Sequence, residues 1–242
     1  VRIGTADAAV DMTSISSSGA ASTTFTVFED TTFTGTLAAT TSVAASQTLT
    51  LTAAKATGKT ITGAAGGNGS AIVTALDQTL DAVLDNITAD TGNGGSVTGT
   101  FLTSGEFTGS FGAAGMTVTI SDGATMTVAA NKVDGSDGPT LQKVGSGTGA
   151  VAVKIGDADK AVNMTTISSS GAASTTFTVF ENIDDFTGTL AAATSVNSGV
   201  TLGISAAKAT TKTISGLGNV SISALHSTLA ADLTGVTAGG TK

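Results

Sequence analysis

Five aspartates are the residues of this chain best placed for chemistry, because Ca²⁺ is bound by several oxygen ligands gathered on a turn. Asp122, Asp134 and Asp137 lie beside Gly-rich bends, and Asp184 and Asp185 are adjacent further along the chain. The same pattern is typical of ordinary turn aspartates, whose side chains accept bonds from nearby backbone. We predict these five residues as candidate Ca²⁺ ligands and identify no other cofactor.

Few residues of this chain are of the types that perform catalysis. His226 is the only histidine and cysteine is absent, so neither a nucleophile–base pair nor a zinc site can be assembled. The formal net charge is −8 and Arg2 is the only arginine, which argues against binding to a phosphate backbone. We predict that the protein is not an enzyme and does not bind nucleic acid.

Two sets of short motifs recur along the chain. Sequons of the form Asn-X-Ser/Thr, which can accept N-linked glycans, begin at Asn68, Asn86, Asn163 and Asn219. Lysines close three copies of one repeated motif, at Lys55, Lys132 and Lys208. We predict the asparagines as glycosylation candidates and interpret the lysines as edge residues that deter unwanted strand pairing.

The elements that must position these residues follow from the composition. Hydrophobic residues make up 40% of the 242 residues, but aromatics only 4%, with no Trp and no Tyr, so the core must consist of small aliphatic side chains. The 32 glycines and the many Thr and Ser residues favour short strands joined by tight turns.

No apolar run reaches the ~20 residues that cross a bilayer, so we expect no membrane insertion. Because the first residue is Val, we expect a processed chain or a segment of a longer one.

An internal repeat defines the organisation of the chain. The string SSSGAASTTFTVFE occurs at 16–29 and again at 168–181, and FTG begins at Phe33, Phe107 and Phe186. TLTLTAAK at 48–55 matches TMTVAANK at 125–132 and TLGISAAK at 201–208. We predict unit 1 at 1–70, a diverged unit 2 at 71–149, unit 3 at 150–218 and a partial unit 4 at 219–242.

Alternating segments within each unit predict an all-β fold, a tandem-repeat parallel β-solenoid. In TLTLT the Leu and Thr side chains point to opposite faces of a strand. The strands predicted for one repeat cover 24–28, 34–37, 48–52, 59–62 and 71–76. A string of small Ig-like sandwiches is the alternative, but without Trp or Tyr it would fill the space of about 10 Å between two sheets poorly. Leu80, Val83, Leu84 and Ile87 have helical spacing, so helix and extended chain both stay open at 77–90.

The strings TLTLTAAKATGKTITG at 48–63 and SVTGT at 96–100 resemble the β-strand-repeat regions of large secreted bacterial surface proteins. These include S-layer-like proteins, RTX-type adhesins and surface-filament subunits. The resemblance is one of repeat texture and covers essentially the whole chain. It implies secretion, an extracellular or cell-surface location and often calcium.

We expect a structural protein that assembles head to tail into a filament or surface layer, with the stalk or a binding module of a large adhesin as the alternative. Uncapped solenoid ends carry free strand edges, and a head-to-tail contact that does not close gives an open fibre. The expected partner is a second copy of the chain, with a cell-surface glycan or another surface protein also considered. The predicted assembly interface consists of Val1, Ile3, Met12, Ile15, Leu229, Leu233 and Val236.

Overall fold

Short β-strands account for most of the regular structure. The computed structural model describes residues 1–15, 23–111, 115–134, 138–144, 146–167, 174–227 and 230–240. The strands are β1 Arg2–Ile3, β2 Thr26–Val27, β3 Thr31–Thr32, β4 Thr40–Val43, β5 Thr48–Thr52, β6 Thr60–Gly63, β7 Ser70–Thr74, β8 Ile87–Thr88, β9 Val97–Phe101, β10 Gly105–Phe107, β11 Met116–Ile120, β12 Thr125–Ala129, β13 Thr140–Lys143, β14 Ala150–Ile155, β15 Ser174–Val179, β16 Ile183–Phe186, β17 Ala193–Val196, β18 Thr201–Ser205, β19 Thr213–Gly216 and β20 Asn219–Ser223.

In the described parts of the chain, helical structure is confined to single turns. Two four-residue α-helices, α1 Ala53–Ala56 and α2 Ala206–Ala209, occupy matching places in units 1 and 3. The 3-10 turns are Thr5–Asp7, Met12–Ser14, Leu76–Gln78, Thr91–Asn93, Ala130–Lys132, Asp157–Asp159, Met164–Thr166 and Leu225–Ser227. The segment 77–90, where helix and extended chain were both open, contains one such turn, a bridge at Val83 and strand β8. Its Leu84 and Ile87 are buried without forming an α-helix.

Every strand pairing among the described residues is parallel, which confirms the β-solenoid. The strands form four sheets in the orders β1-β2-β4-β6-β8 (sheet I), β3-β5-β7-β9-β11-β13 (sheet II), β10-β12-β14-β15-β17-β19 (sheet III) and β16-β18-β20 (sheet IV). Partners on successive coils lie 16 residues apart between Thr26 and Ser42 and 26 apart between Ala71 and Val97. An Ig-like sandwich would be built from antiparallel strands, so that alternative is wrong.

The sheets interlock the units. Sheet II begins with β3 and β5 of unit 1 and continues with β7, β9, β11 and β13 of unit 2. Sheet III repeats this plan one unit later, with β10 and β12 followed by β14, β15, β17 and β19. The strands that open the repeats, β7, β14 and β20, begin at Ser70, Ala150 and Asn219. Units 2, 3 and 4 therefore each start by pairing onto the unit before.

The core is a series of inward-facing columns of aliphatic side chains. One column in sheet II runs through Leu51, Val73, Gly99, Val118 and Leu141. Its four side chains are at most 1% exposed, and Gly99 leaves room for Leu76 and Met116, which approach the position of its missing Cβ. At about 25 cal/mol per Å² of apolar surface buried, such stacked columns are the main stabilising term.

The FTG motif is a close contact between coils. Phe33, Phe107 and Phe186 are buried. The glycine two residues later donates its N–H to a carbonyl on the preceding coil in all three units: Gly35 to Ala8, Gly109 to Leu80 and Gly188 to Lys160, at 2.7–2.9 Å. A Cβ at any of the three would collide with backbone of that coil. The recurring glycine is therefore a steric requirement of coil stacking.

Candidate functional site

The predicted calcium ligands do different things in the fold. Asp122 Oδ1 accepts bonds of 2.6 Å from both the N–H and the hydroxyl of Thr148, on the next coil. The hydroxyl of Thr148, followed by its N–H, lowers the pKa of this carboxyl. Asp122 thus ties two successive turns together as an ionised acceptor.

Three of the other four aspartates lie within the described residues, and they do not gather at one site with Asp122. Asp134 lines an open cavity of about 220 Å³ with Lys132 and Asp85, and Asp137 lies outside the described residues. Asp184 and Asp185 are exposed on strand β16. Among the residues that the structure describes, no group of three or more acidic, His or Cys side chains could hold a metal ion.

The sequon asparagines lie at coil turns or strand ends. Asn68 Oδ1 accepts from the N–H of Ser46 at 2.6 Å and from its hydroxyl at 3.0 Å. Asn163 caps a 3-10 turn by accepting from Thr165, and Asn86 is exposed beside β8. Asn219 begins β20 and is half-buried. Their modification stays a prediction.

Two of the recurring lysines bond to the recurring FTG glycines. Lys55 Nζ donates to the carbonyl of Gly35 and Lys208 Nζ to that of Gly188, both at 2.8 Å and partly buried. Lys132 of unit 2 borders the cavity beside Asp134 instead. Lys55 and Lys208 therefore fasten adjacent coils, a role the sequence did not indicate.

The junction between units 2 and 3 contains a buried polar site. Strand β14 pairs with β12 over five residues, Thr125 to Ala129. Beyond the strands, Asp159 Oδ2 accepts from the N–H of Gly156 at 2.8 Å, and Oδ1 accepts from the N–H of Asn131 on the previous coil, also at 2.8 Å. Asp159 is only 2% exposed. One carboxylate therefore binds both units.

Burial governs the protonation of this carboxyl. Desolvation raises the pKa of Asp159, while the N–H groups of Gly156 and Asn131 act in the opposite direction. The carboxylates of Glu181 and Asp134 add to the rise. Sequence reasoning missed Asp159, although GTAD at 4–7 and GDAD at 156–159 form a repeated signal that could have drawn attention to it.

The predicted interface residues are partly used inside the molecule. Ile3, Met12 and Val236 are buried, so their side chains hold the end coils together. Val1 and Ile15 are exposed, Leu233 is half-buried against the core, and Leu229 lies outside the described residues. In the described chain, strands β1 and β20 each pair on one side only, so their backbone edges, rather than these buried side chains, are the candidate surfaces for another coil.

Comparison with known proteins gives no match. No family model, curated protein or solved structure matches it. Within the described ranges, no helix has both the length and the apolar character needed to cross a membrane. Any function must therefore be argued from the geometry above.

Proposed function

We propose that the protein is an extracellular structural element that assembles head to tail into a filament or surface layer. The observation that carries the proposal is an open strand edge at each end of the stack, because β1 and β20 each pair on one side only in the described chain. Sheet IV stops at β20, the strand that opens a repeat, whereas the same type of strand in sheets II and III is followed by three more. Sheet I starts at β1, which corresponds to the end of β14 at an offset of 152 residues, and continues with β2, β4, β6 and β8, with no strand before β1 in the described chain.

The internal junction provides the template for the proposed contact. At β12 and β14 the ladder passes from one unit to the next without a break in register. The opening coil at Gly4 and Asp7 has the same local bond, from the Gly4 N–H to Asp7 Oδ2 at 2.9 Å, as the buried coil at Gly156 and Asp159. A second copy stacked on this end would use a surface of the same construction.

An adhesin stalk is the second candidate, and the same open edges favour it. In that case β1 and β20 pair with further repeats of a longer polypeptide. The 242-residue chain by itself would then stay a single rod. Low aromatic content and the continuous ladder serve both functions equally well. The two candidates differ in whether separate chains associate.

Ile222 on β20 offers a sharp test. It is half-buried against the core at the open end, so a lysine there can reach solvent in the single rod but would be buried by a stacked copy. Inward-facing charges on edge strands block pairing of this kind. Ser221 is exposed on the same strand, so Ser221→Lys is the matched control.

Negative-stain electron microscopy and sedimentation velocity should show fibres or a layer for the unchanged chain and for Ser221→Lys, and single rods for Ile222→Lys. Rods alone at every concentration of the unchanged chain would reject self-assembly and favour the stalk. A chelator arm tests the proposed calcium sites separately. Loss of assembly on chelation, reversed by Ca²⁺, would support Asp122, Asp134, Asp137, Asp184 and Asp185 as ligands.

A further inference from the structure

Sheet II carries an ordered array of threonines on its outer face. Five adjacent strands, β5, β7, β9, β11 and β13, each present two outward positions. The first of these positions is in register across all five strands, and the second is in register from β5 to β7 and from β9 to β13. The tripeptides are TLT at 50–52, IVT at 72–74, TGT at 98–100, TVT at 117–119 and TLQ at 140–142. Eight of these ten outward positions are threonine, and we name the ten positions the Thr array.

The equivalent face of sheet III lacks this regularity. Its tripeptides at the same places are TVA at 127–129, AVK at 152–154, TFT at 176–178, ATS at 193–195 and TIS at 213–215. Only four of those ten outward positions are threonine, and one is Lys154. Four of the five strands of the Thr array belong to the diverged unit 2, so the divergence of that unit coincides with the gain of threonines.

Most hydroxyls of the Thr array are available to water. Thr74 Oγ1 donates to the carbonyl of Leu51 and Thr119 Oγ1 accepts from Gln142, both at 3.3 Å. For the other six threonines the described structure records no protein partner. In sheet III, by contrast, Thr178 and Ser195 bond to each other at 2.9 Å.

The geometry of the Thr array is that of a lattice. Parallel strands lie roughly 4.8 Å apart and two residues advance about 6.6 Å along a strand, so the hydroxyls repeat in two nearly perpendicular directions. These repeats are close to those of water oxygens on a prism plane of hexagonal ice. The β-branched side chain of threonine has restricted rotamers, so little conformational freedom is lost when the hydroxyls are fixed.

The strands that form the Thr array are almost free of charged residues, which would disturb ordered water on this face. The only charged residue on the strands of sheet II is Lys143, at the end of the edge strand β13. A charged side chain would keep its own hydration shell and disturb an ordered water layer. We propose that the Thr array is an ice-binding surface whose ligand is the oxygen lattice of ice, held by hydroxyls and by the γ-methyl groups between them.

The test compares equivalent positions on the two sheets. Thr98→Lys changes the centre of the Thr array, and Thr176→Lys changes the equivalent position of sheet III. We expect the unchanged chain to partition into growing ice and to inhibit ice recrystallisation. Thr98→Lys should raise the concentration needed by roughly tenfold or more, which corresponds to about 1.4 kcal/mol of binding, and Thr176→Lys should leave it unchanged.

A gain-of-function pair completes the design. Ile72→Thr fills the gap between Thr50 and Thr98 and should lower the effective concentration, while Ala152→Thr, its equivalent in sheet III, should not. Circular dichroism at the assay temperature confirms that each variant is folded. Exclusion of the unchanged chain from ice, or equal loss in Thr98→Lys and Thr176→Lys, would overturn the proposal. So would a dimer that forms through this face in solution and is abolished by Thr98→Lys alone.

Discussion

Units 1 and 3 carry nearly the same residues, yet their opening coils lie in different surroundings. Asp7 and Asp159 occupy the same position, 152 residues apart, and each accepts a bond from a glycine three residues earlier. Asp159 is buried and also accepts from Asn131 of unit 2, whereas Asp7 is half-exposed at the end of the stack. The local turn is therefore set by sequence, and the burial by the neighbouring coil.

A cation–ring contact that occurs in both units also shows which contacts are set within a unit and which by its neighbour. Arg2 lies over the ring of Phe28 at 4.1 Å from the ring centre, and Lys154 over Phe180 at 4.2 Å. Lys154 in addition forms an ion pair of 2.8 Å with Glu106 of unit 2. Contacts within a unit thus recur in both copies, while contacts between units belong to the junction alone. Substitutions can therefore test the contacts within a unit separately from the contacts between units.

The largest effect should come from a contact inside each unit. Replacing the FTG glycine, as in Gly188→Ala or Gly35→Ala, pushes a Cβ into the backbone of Val162 or Val10. Rigid overpacking of this kind destabilises by about 2–3 kcal/mol, and both variants should lose similar amounts in equilibrium urea unfolding.

Gly92→Ala is the matched control for these variants, because its new Cβ would meet only the Asp90 carboxylate, at 3.4 Å. It should unfold close to the unchanged chain. A large difference between Gly35→Ala and Gly188→Ala would show that the first unit does not stack as tightly as the third.

Removing the carboxylate should destabilise the protein more at Asp159, which lies in the junction between units 2 and 3, than at its counterpart Asp7. Asp159→Ala leaves the N–H groups of Gly156 and Asn131 without their acceptor in a buried place, and each orphaned donor destabilises by about 1–3 kcal/mol. We expect a net loss of roughly 2 kcal/mol, and less than about 1 kcal/mol for Asp7→Ala, where water can replace the carboxylate. Hydrogen exchange of the Asn131 amide should accelerate in Asp159→Ala only.

The pH dependence of Asp159→Asn checks the physical cause. Burial raises the pKa of Asp159 in the folded chain, so the native state binds a proton more readily than the unfolded state. The contribution of Asp159 to stability therefore grows as pH falls through the folded pKa, and is lost as pH rises through it. Asp122→Asn should show the opposite trend, because hydrogen bonds from Thr148 lower the pKa of Asp122. Parallel trends would contradict the assignment.

These comparisons also show how far sequence reasoning could go. TLTLT predicted strand β5 with its bounds, and 71–76 came close to β7, because alternation and turn glycines are local signals. The predicted strand 34–37 is only a single bridge at Thr36, and β3 and β4 were missed, because their pairing depends on coils beneath them. Asp159 and the Thr array depend on register across coils, which local periodicity does not encode.

The smallest effect concerns two buried hydroxyls. Thr41 of β4 and Thr194 of β17 are 1% and 3% exposed, and neither Oγ1 has a hydrogen-bond partner in the described structure. Each lies beside an isoleucine of the next coil, Ile61 or Ile214. At the same place unit 2 has Val118, beside Leu141.

Thr41→Val and Thr194→Val should therefore each stabilise the protein by about 1 kcal/mol, since an unpaired buried hydroxyl is replaced by a methyl group of similar size. Equilibrium unfolding in urea measures the gain. Val118→Thr is the reverse change in unit 2 and should destabilise by a comparable amount. If Thr194→Val gained nothing while Val118→Thr lost stability, the hydroxyl of Thr194 would have to be bonded to an internal water. The inward columns of units 2 and 3 would then differ in hydration as well as in sequence.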